Sequence, residues 1–236
     1  MNEVTMSASR PARTSDGRDA FADYLRRRVL TENTPELQKL SVMLYRLLAL
    51  GAPVARERLG IGCALPEPRI EQLLPEFPAT NLEFDEHGQI IAFGGLSLVP
   101  THHRFNLDEP GLCTSGLHTW CVFDALFLPE ILGKPATLLT YCPGSGAKLA
   151  VELAPGRVRS ASPSGCVMSI VTPDSSACCD NLRRAFCDHV SLFKDEQTFK
   201  AWSQGRLDVG SVTLQEAQLF ARQRNALRYP DVERNP

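Results

Sequence analysis

Residues 117–132 read Leu-His-Thr-Trp-Cys-Val-Phe-Asp-Ala-Leu-Phe-Leu-Pro-Glu-Ile-Leu, and no other stretch constrains the fold as strongly. Read as a helix, the segment is apolar on every face. It has no side fit for water and must be enclosed by other elements. It is also shorter than the ~18 apolar residues that suggest a membrane span, and no other window reaches that length. Pro129 and Gly133 are expected to mark its end. A chain of 236 residues that is 43% apolar can supply the surrounding layers as one domain or two small ones.

Those layers are legible on both sides. Thr34-Pro35-Glu36 starts a helix with a hydroxyl cap, a first-turn proline and an acid at the positive end. Leu37, Leu40, Leu44, Leu47 and Leu48 follow at helical spacing, and Gly51 stops the run. A short helix fits Val54–Leu59, broken by Gly60 and Gly62. A third fits Pro66–Leu74, with Ile70, Leu73 and Leu74 inward. Residues 81–84 and 89–93 flank Asp85-Glu86-His87-Gly88, a hairpin signal. Strands are expected at His103–Leu107, Ala136–Tyr141, Lys148–Leu153, Arg157–Ala161 and Cys166–Val171, with Pro and Gly between the later ones. Ser176–Arg184 reads as helix, Cys187–Phe193 as strand and Gln197–Trp202 as helix. Thr213 and Glu216 form a capping box opening a last helix to Leu227. The expected fold is α+β: a winged-helix-like three-helix module over 31–98, then an antiparallel-sheet domain with flanking helices over 99–236.

Residues 1–30 are expected to be a mobile extension, with 18–30 able to form a short helix. They lack the apolar run of an export signal, and three aspartates within 16–23 argue against a transit peptide. A cytoplasmic location follows, where thiols stay free. Three helices and a hairpin often bind DNA, but residues 34–98 carry five cations against eight acids, a net −3. That balance would repel phosphates, so no nucleic-acid partner and no membrane partner are expected.

Eight cysteines (63, 113, 121, 142, 166, 178, 179 and 187) are then candidates for metal or thiol chemistry. No Cys-x2-Cys or His-x3–5-His pair supports a zinc site. His102-His103 is expected to face solvent in a loop. Gly144-Ser145-Gly146 lacks the Lys-Ser/Thr of a phosphate loop. Trp120-Cys121-Val122-Phe123-Asp124 stands out. On a helix, Cys121 and Asp124 are three apart and share a face. A carboxylate there is costly to bury without a role, and spacing alone leaves open whether it merely caps a turn.

The segment WCVFDALFLPEILGKPATLLTYCPGSGAKLAVEL, the later Phe186-Cys187-Asp188-His189-Val190 and the hairpin EFDEHGQIIAFGGLSL together resemble the organomercurial (alkylmercury) lyases over roughly residues 40–225. The resemblance implies an enzyme cleaving carbon–mercury bonds. Cys121 and Cys187 would be its mercury-binding thiols, Asp124 its acid and a further metal-site residue, and Cys142 a structural cysteine. Where many members have two adjacent cysteines, this chain has Cys187-Asp188, which would alter local charge. No cofactor is implied, since Hg(II) is the bound product. The partners implied are an organomercurial substrate and a mercuric reductase or small thiols that take Hg(II).

The chemistry suits these residues. Hg(II) is soft and thiolates are the soft protein ligands. Asp124 can take a thiol proton and return it to the departing carbon. Trp120, Phe123 and Phe186 would suit as apolar walls. Cys63, Cys113 and Cys166 read as packing, and for Cys178-Cys179 both packing and a side site for soft metal stay open. The alternatives are a soft-metal-binding winged-helix sensor or repressor, and an inactive relative that only sequesters mercury.

Overall fold

The computed structural model describes residues 14–30, 34–109, 116–171, 182–206 and 209–230. Its helices are α1 (Thr14–Leu30), α2 (Pro35–Leu48), α3 (Arg56–Cys63), α4 (Glu67–Leu73), α5 (Val122–Leu132), α6 (Leu182–Ala185), α7 (Glu196–Trp202) and α8 (Leu214–Arg228). Strands β1 (Leu82–Phe84), β2 (Ile90–Phe93), β3 (Leu96–Ser97), β5 (His118–Thr119), β4 (His103–Leu107), β6 (Ala136–Tyr141), β7 (Lys148–Ala154) and β8 (Arg157–Ser162) form one antiparallel sheet in that order. A second sheet has the order β10 (Leu192–Phe193), β9 (Val167–Val171), β11 (Val209–Thr213). The fold is α+β, with the helical part N-terminal.

Local chemistry places the elements as the sequence implies. The Thr34 hydroxyl accepts from the Leu37 N–H at 3.3 Å, with Pro35 in the first turn. Asp85 Oδ1 accepts from the backbone of His87 and Gln89 at 2.9 and 2.8 Å and sets the β1–β2 turn. Thr213 and Glu216 exchange bonds of 2.9 and 3.2 Å at the start of α8. The hairpin, however, does not stand apart as a wing. β2 pairs with β3, which carries the sheet on to β5, β4 and β6.

The apolar segment departs from its reading in two ways. Its first residues are strand, with Thr119 opposite Leu96 and His118 opposite Ser97, so the helix starts only at Val122. Pro129 sits inside α5 rather than ending it, and the left-handed Gly133 (φ 68°) is the terminator. Proline removes one rung of the helical ladder, and α8 bonds the neighbouring carbonyls. Gln218 Nε2 donates to Leu126 O at 3.2 Å and Asn225 Nδ2 to Phe127 O at 3.0 Å. Every α5 residue except Glu130 is buried, enclosed by α8, α2 and strands β5 to β7.

Other boundaries also moved. α3 runs through Gly60 and Gly62 because these glycines serve packing, not termination: a Cβ at Gly62 would meet Met43 Sδ at 2.7 Å, and one at Gly60 would meet Leu65 O at 2.9 Å. Cys187–His189 is a 3-10 turn, and only Leu192–Phe193 of the expected strand pairs, against β9. The helical reading of residues 14–30 extends the expected 18–30, and α1 packs on α8, β9 and β11. Residues 1–13, Cys113, Cys178 and Cys179 lie outside the described residues, as does most of the expected helix Ser176–Arg184. No described helix is long and apolar enough to cross a membrane.

Candidate active site

Cys121 is the N-cap of α5, with extended backbone (φ −147°, ψ 176°). Asp124 is the third helical residue, and its Oδ2 accepts the Cys121 N–H at 2.9 Å. The Cys121 sulfur in turn faces the Asp124 N–H, so the two form a capping box with a thiol in place of the usual hydroxyl. Their closeness is therefore a property of the helix start, not of a shared helix face. Cys187 arrives from the 3-10 turn after Phe186. The two sulfurs and a carboxylate oxygen all lie within 4.8 Å of one another, and all three residues are buried. A zinc–thiolate bond is already ~2.3 Å long, so one larger soft ion can bridge two sulfurs at this separation.

The Gly94-Gly95 turn between β2 and β3 seats the carboxylate. Gly95 has φ +104°, and a Cβ there would fall 2.4 Å from Asp124 Cγ. Its carbonyl accepts the Trp120 N–H at 2.9 Å, which fixes the approach to Cys121. The Gly94 carbonyl accepts the Tyr45 hydroxyl at 2.9 Å.

Burial pushes the Asp124 pKa up to about 6, against bonds from Cys121 and the charges of Arg224 and Arg183. Burial also pushes the Cys121 thiol well up, and its S–H bond to Cys187 adds to that. Cys187 gains from accepting that bond, yet burial and the charges of Asp124 and Asp188 outweigh it, and its pKa too is raised. At neutral pH the resting site is thus an ionised carboxylate beside two neutral thiols. A base and the proton it will take are already in place.

A cavity of about 110 Å³ reaches Asp124 and Cys187, and Trp120, Phe123, Phe127 and Phe186 are among its walls. An apolar cavity of ~150 Å³ admits benzene, so this smaller, partly polar one is on the scale of a small organic group. α1 covers one side. The Phe21 ring stacks on Phe186 at 5.9 Å and meets Phe123 edge-on at 5.7 Å, and Tyr24 lines the cavity. Arg18 pairs with Glu216 at 2.6 Å and holds α1 to α8.

Sequence reasoning missed several contributors. Tyr45, Arg224 and Gly95 lie far from the cysteine motifs in the chain. Arg183 sits 5.9 Å from the Trp120 ring and pairs with Glu83 at 2.8 Å, joining α6 to β1. The Gly-Gly pair in the quoted hairpin was the one available signal. His103 lies not in a solvent-facing loop but half-buried on β4, its Nδ1 2.9 Å from Thr140 Oγ1. Burial and neighbouring histidines lower its pKa to about 4.

Cys142, Cys166 and Cys63 are buried away from the trio. Burial works to raise the Cys142 pKa, but bonds from the Ser145 hydroxyl and from the N–H groups of Lys194, Gly144 and Ser145 outweigh it. Asp188 is exposed beside Cys187.

Two buried thiols and a carboxylate beside a cavity with aromatic walls form a group that could hold a metal ion. The alkylmercury lyase (MerB) family profile matches residues 96–225. Alkylmercury lyases of Pseudomonas putida and Streptomyces lividans are 34% and 36% identical, over 77% and 67% of this chain and 81% and 69% of theirs. The chain belongs to the alkylmercury lyase family. The solved mercury-bound form of MerB2 shares the fold at TM-score 0.72 and 16% identity, covering 89% of this chain and 99% of that one.

Proposed function

We propose that this protein cleaves the carbon–mercury bond of organomercurials by protonolysis, with Cys121, Asp124 and Cys187 as the reacting groups. The observation that carries this reading is the approach of two sulfurs and one carboxylate to within 4.8 Å in a buried site. The substrate R–Hg–X, with X a small thiolate, enters the cavity. Cys121 Sγ attacks mercury and Asp124 takes its proton. Cys187 adds the second sulfur, and its proton leaves with X as HX. Two thiolates weaken the carbon–mercury bond, and Asp124 delivers its proton to carbon as that bond breaks. R–H departs and Hg(II) stays on Cys121 and Cys187, so two thiol protons account for HX and R–H.

No cofactor takes part in this scheme. Hg(II) then passes to small thiols or a mercuric reductase, and a cytoplasmic location keeps the thiols reduced. Residues 31–98 serve as a scaffold, not a DNA reader, and supply Tyr45, Phe93 and Gly94 to the cavity of the 99–236 catalytic domain. The purified protein with excess small thiol will convert phenylmercury to benzene and Hg(II), measured by gas chromatography and a mercury assay. Absence of benzene over the uncatalysed background would sink the reading.

Gly95 gives a sharper check of geometry. Alanine there must displace the Asp124 carboxylate and adopt an unfavourable φ of +104°. A shift of about 1 Å at a reacting group costs about a hundredfold, so Gly95→Ala will lose at least that in turnover. Mercury binding, read by the thiolate–mercury absorbance in the ultraviolet, will persist because both sulfurs remain.

A further inference from the structure

Carbon–mercury protonolysis calls on no cation, yet Arg224 and Arg228 both line the cavity that reaches Asp124 and Cys187. Both come from the end of α8. Arg224 is held flat, its guanidinium carbon 3.7 Å over the Phe127 ring and 5.9 Å from the Tyr229 ring. Its Nη1 donates to Asn225 Oδ1 at 2.9 Å, and it bonds the Tyr45 hydroxyl. A guanidinium carries five N–H donors, so these contacts leave donors to spare. Among the described residues neither arginine forms an ion pair with a carboxylate.

Two guanidinium groups and a single carboxyl group line this cavity, so an anionic group on the incoming molecule meets more basic than acidic side chains there. Two buried polar atoms of the same lining also lack a hydrogen-bond partner among the described residues: Asn81 Oδ1 and the Nε1 of Trp120, which is 4% exposed. Of the two, only the indole N–H is a donor that an anionic oxygen could satisfy.

We propose that Arg224 and Arg228 form a recognition site for a carboxylate on the organic group, so that carboxylated arylmercurials are preferred over plain ones. The inference rests on the lyase reading above. A planar guanidinium suits bidentate pairing with a carboxylate.

The test compares kcat/KM for phenylmercury and 4-carboxyphenylmercury with the intact chain under excess small thiol. The ratio is the readout because Arg224 also acts on Asp124 through its charge, and an effect on chemistry cancels between substrates. The carboxylated ring will be favoured about tenfold or more, as hydrogen bonds to a charged group imply. The preference will shrink as salt rises, and Arg224→Gln or Arg228→Gln will reduce it. A ratio near one in the wild type, or one indifferent to salt, overturns the proposal even if the variants fail to fold. So does an unchanged ratio in active variants. Failure of the wild type to cleave either substrate would instead remove the lyase reading, a distinguishable result.

Discussion

With Cys187 replaced by alanine, the protein will release no measurable benzene from phenylmercury, a loss of at least about a thousandfold. The reason is coordination. One thiolate on mercury leaves a two-coordinate carbon–Hg–sulfur species with little push toward breaking the carbon bond. The second sulfur supplies that push, and Cys187 is placed with its sulfur within 4.8 Å of Cys121 and Asp124 to do so. The variant should therefore stall with phenylmercury on Cys121, visible as a covalent mass increase on the intact protein. Cys121→Ala should also lose turnover, but without the stalled adduct on that residue, because it lacks the sulfur paired with the base. The three groups act as a unit, so the double variant should be no worse than either single one. Turnover by Cys187→Ala within tenfold of wild type would overturn the assignment. The fold should survive, since the change removes one buried sulfur and leaves no charge behind.

How much of this was legible in the sequence depends on what each feature rests on. The enclosure of residues 117–132 followed from apolarity alone, and burial of nearly all of α5 matches it. Helix caps at Thr34 and Thr213 are local chemistry and needed no tertiary information. The juxtaposition of Cys121 and Asp124 was anticipated for the wrong geometric reason. A cap-to-third-residue relation and an i, i+3 face relation share a spacing, and only the strand pairing of Thr119 with Leu96 decides where the helix begins. Cys187–Phe193 alternates like a strand, but pairing requires a neighbour, and β9 offers one only to Leu192 and Phe193. Gly60 and Gly62 read as breakers because what crowds them, the Leu65 carbonyl at Gly60 and Met43 of α2 at Gly62, is set by the fold and invisible to local reasoning.

The site's surroundings were the least legible part. Tyr45 and Arg224 reach the cavity from α2 and α8, elements whose sequences carry only an amphipathic signal. Their function comes from where α5 holds those helices. The same holds for α1, read as a short appended helix, whose Phe21 and Tyr24 stack on Phe186, with Tyr24 in the cavity wall. Long-range aromatic packing leaves no periodic trace in the chain.

Asp124→Asn separates binding from cleavage and exposes what the carboxylate costs. Asparagine keeps an acceptor for the Cys121 N–H, so the cap and the sulfur positions should persist, and with them mercury binding. It cannot take or return a proton, so cleavage should fall by about a thousandfold or more, within the ~10²–10⁴ typical of lost acid–base catalysis. In the wild type, kcat/KM should rise with pH through about 6, where Asp124 ionises, and no such limb should remain in any residual activity of the variant. The folded-state pKa of about 6 lies above the ordinary 3.8, so the folded protein holds this proton more tightly than the unfolded chain. Wild-type stability from this group is therefore greatest below about pH 4 and is lost as pH rises to about 6, a cost of about 3 kcal/mol. Asp124→Asn escapes that cost. Its melting temperature should exceed the wild type's at pH 7, and the gap should close toward pH 4. A variant that is less stable than wild type at pH 7, or a gap that does not move with pH, would show that Asp124 is held by its partners strongly enough to offset its burial.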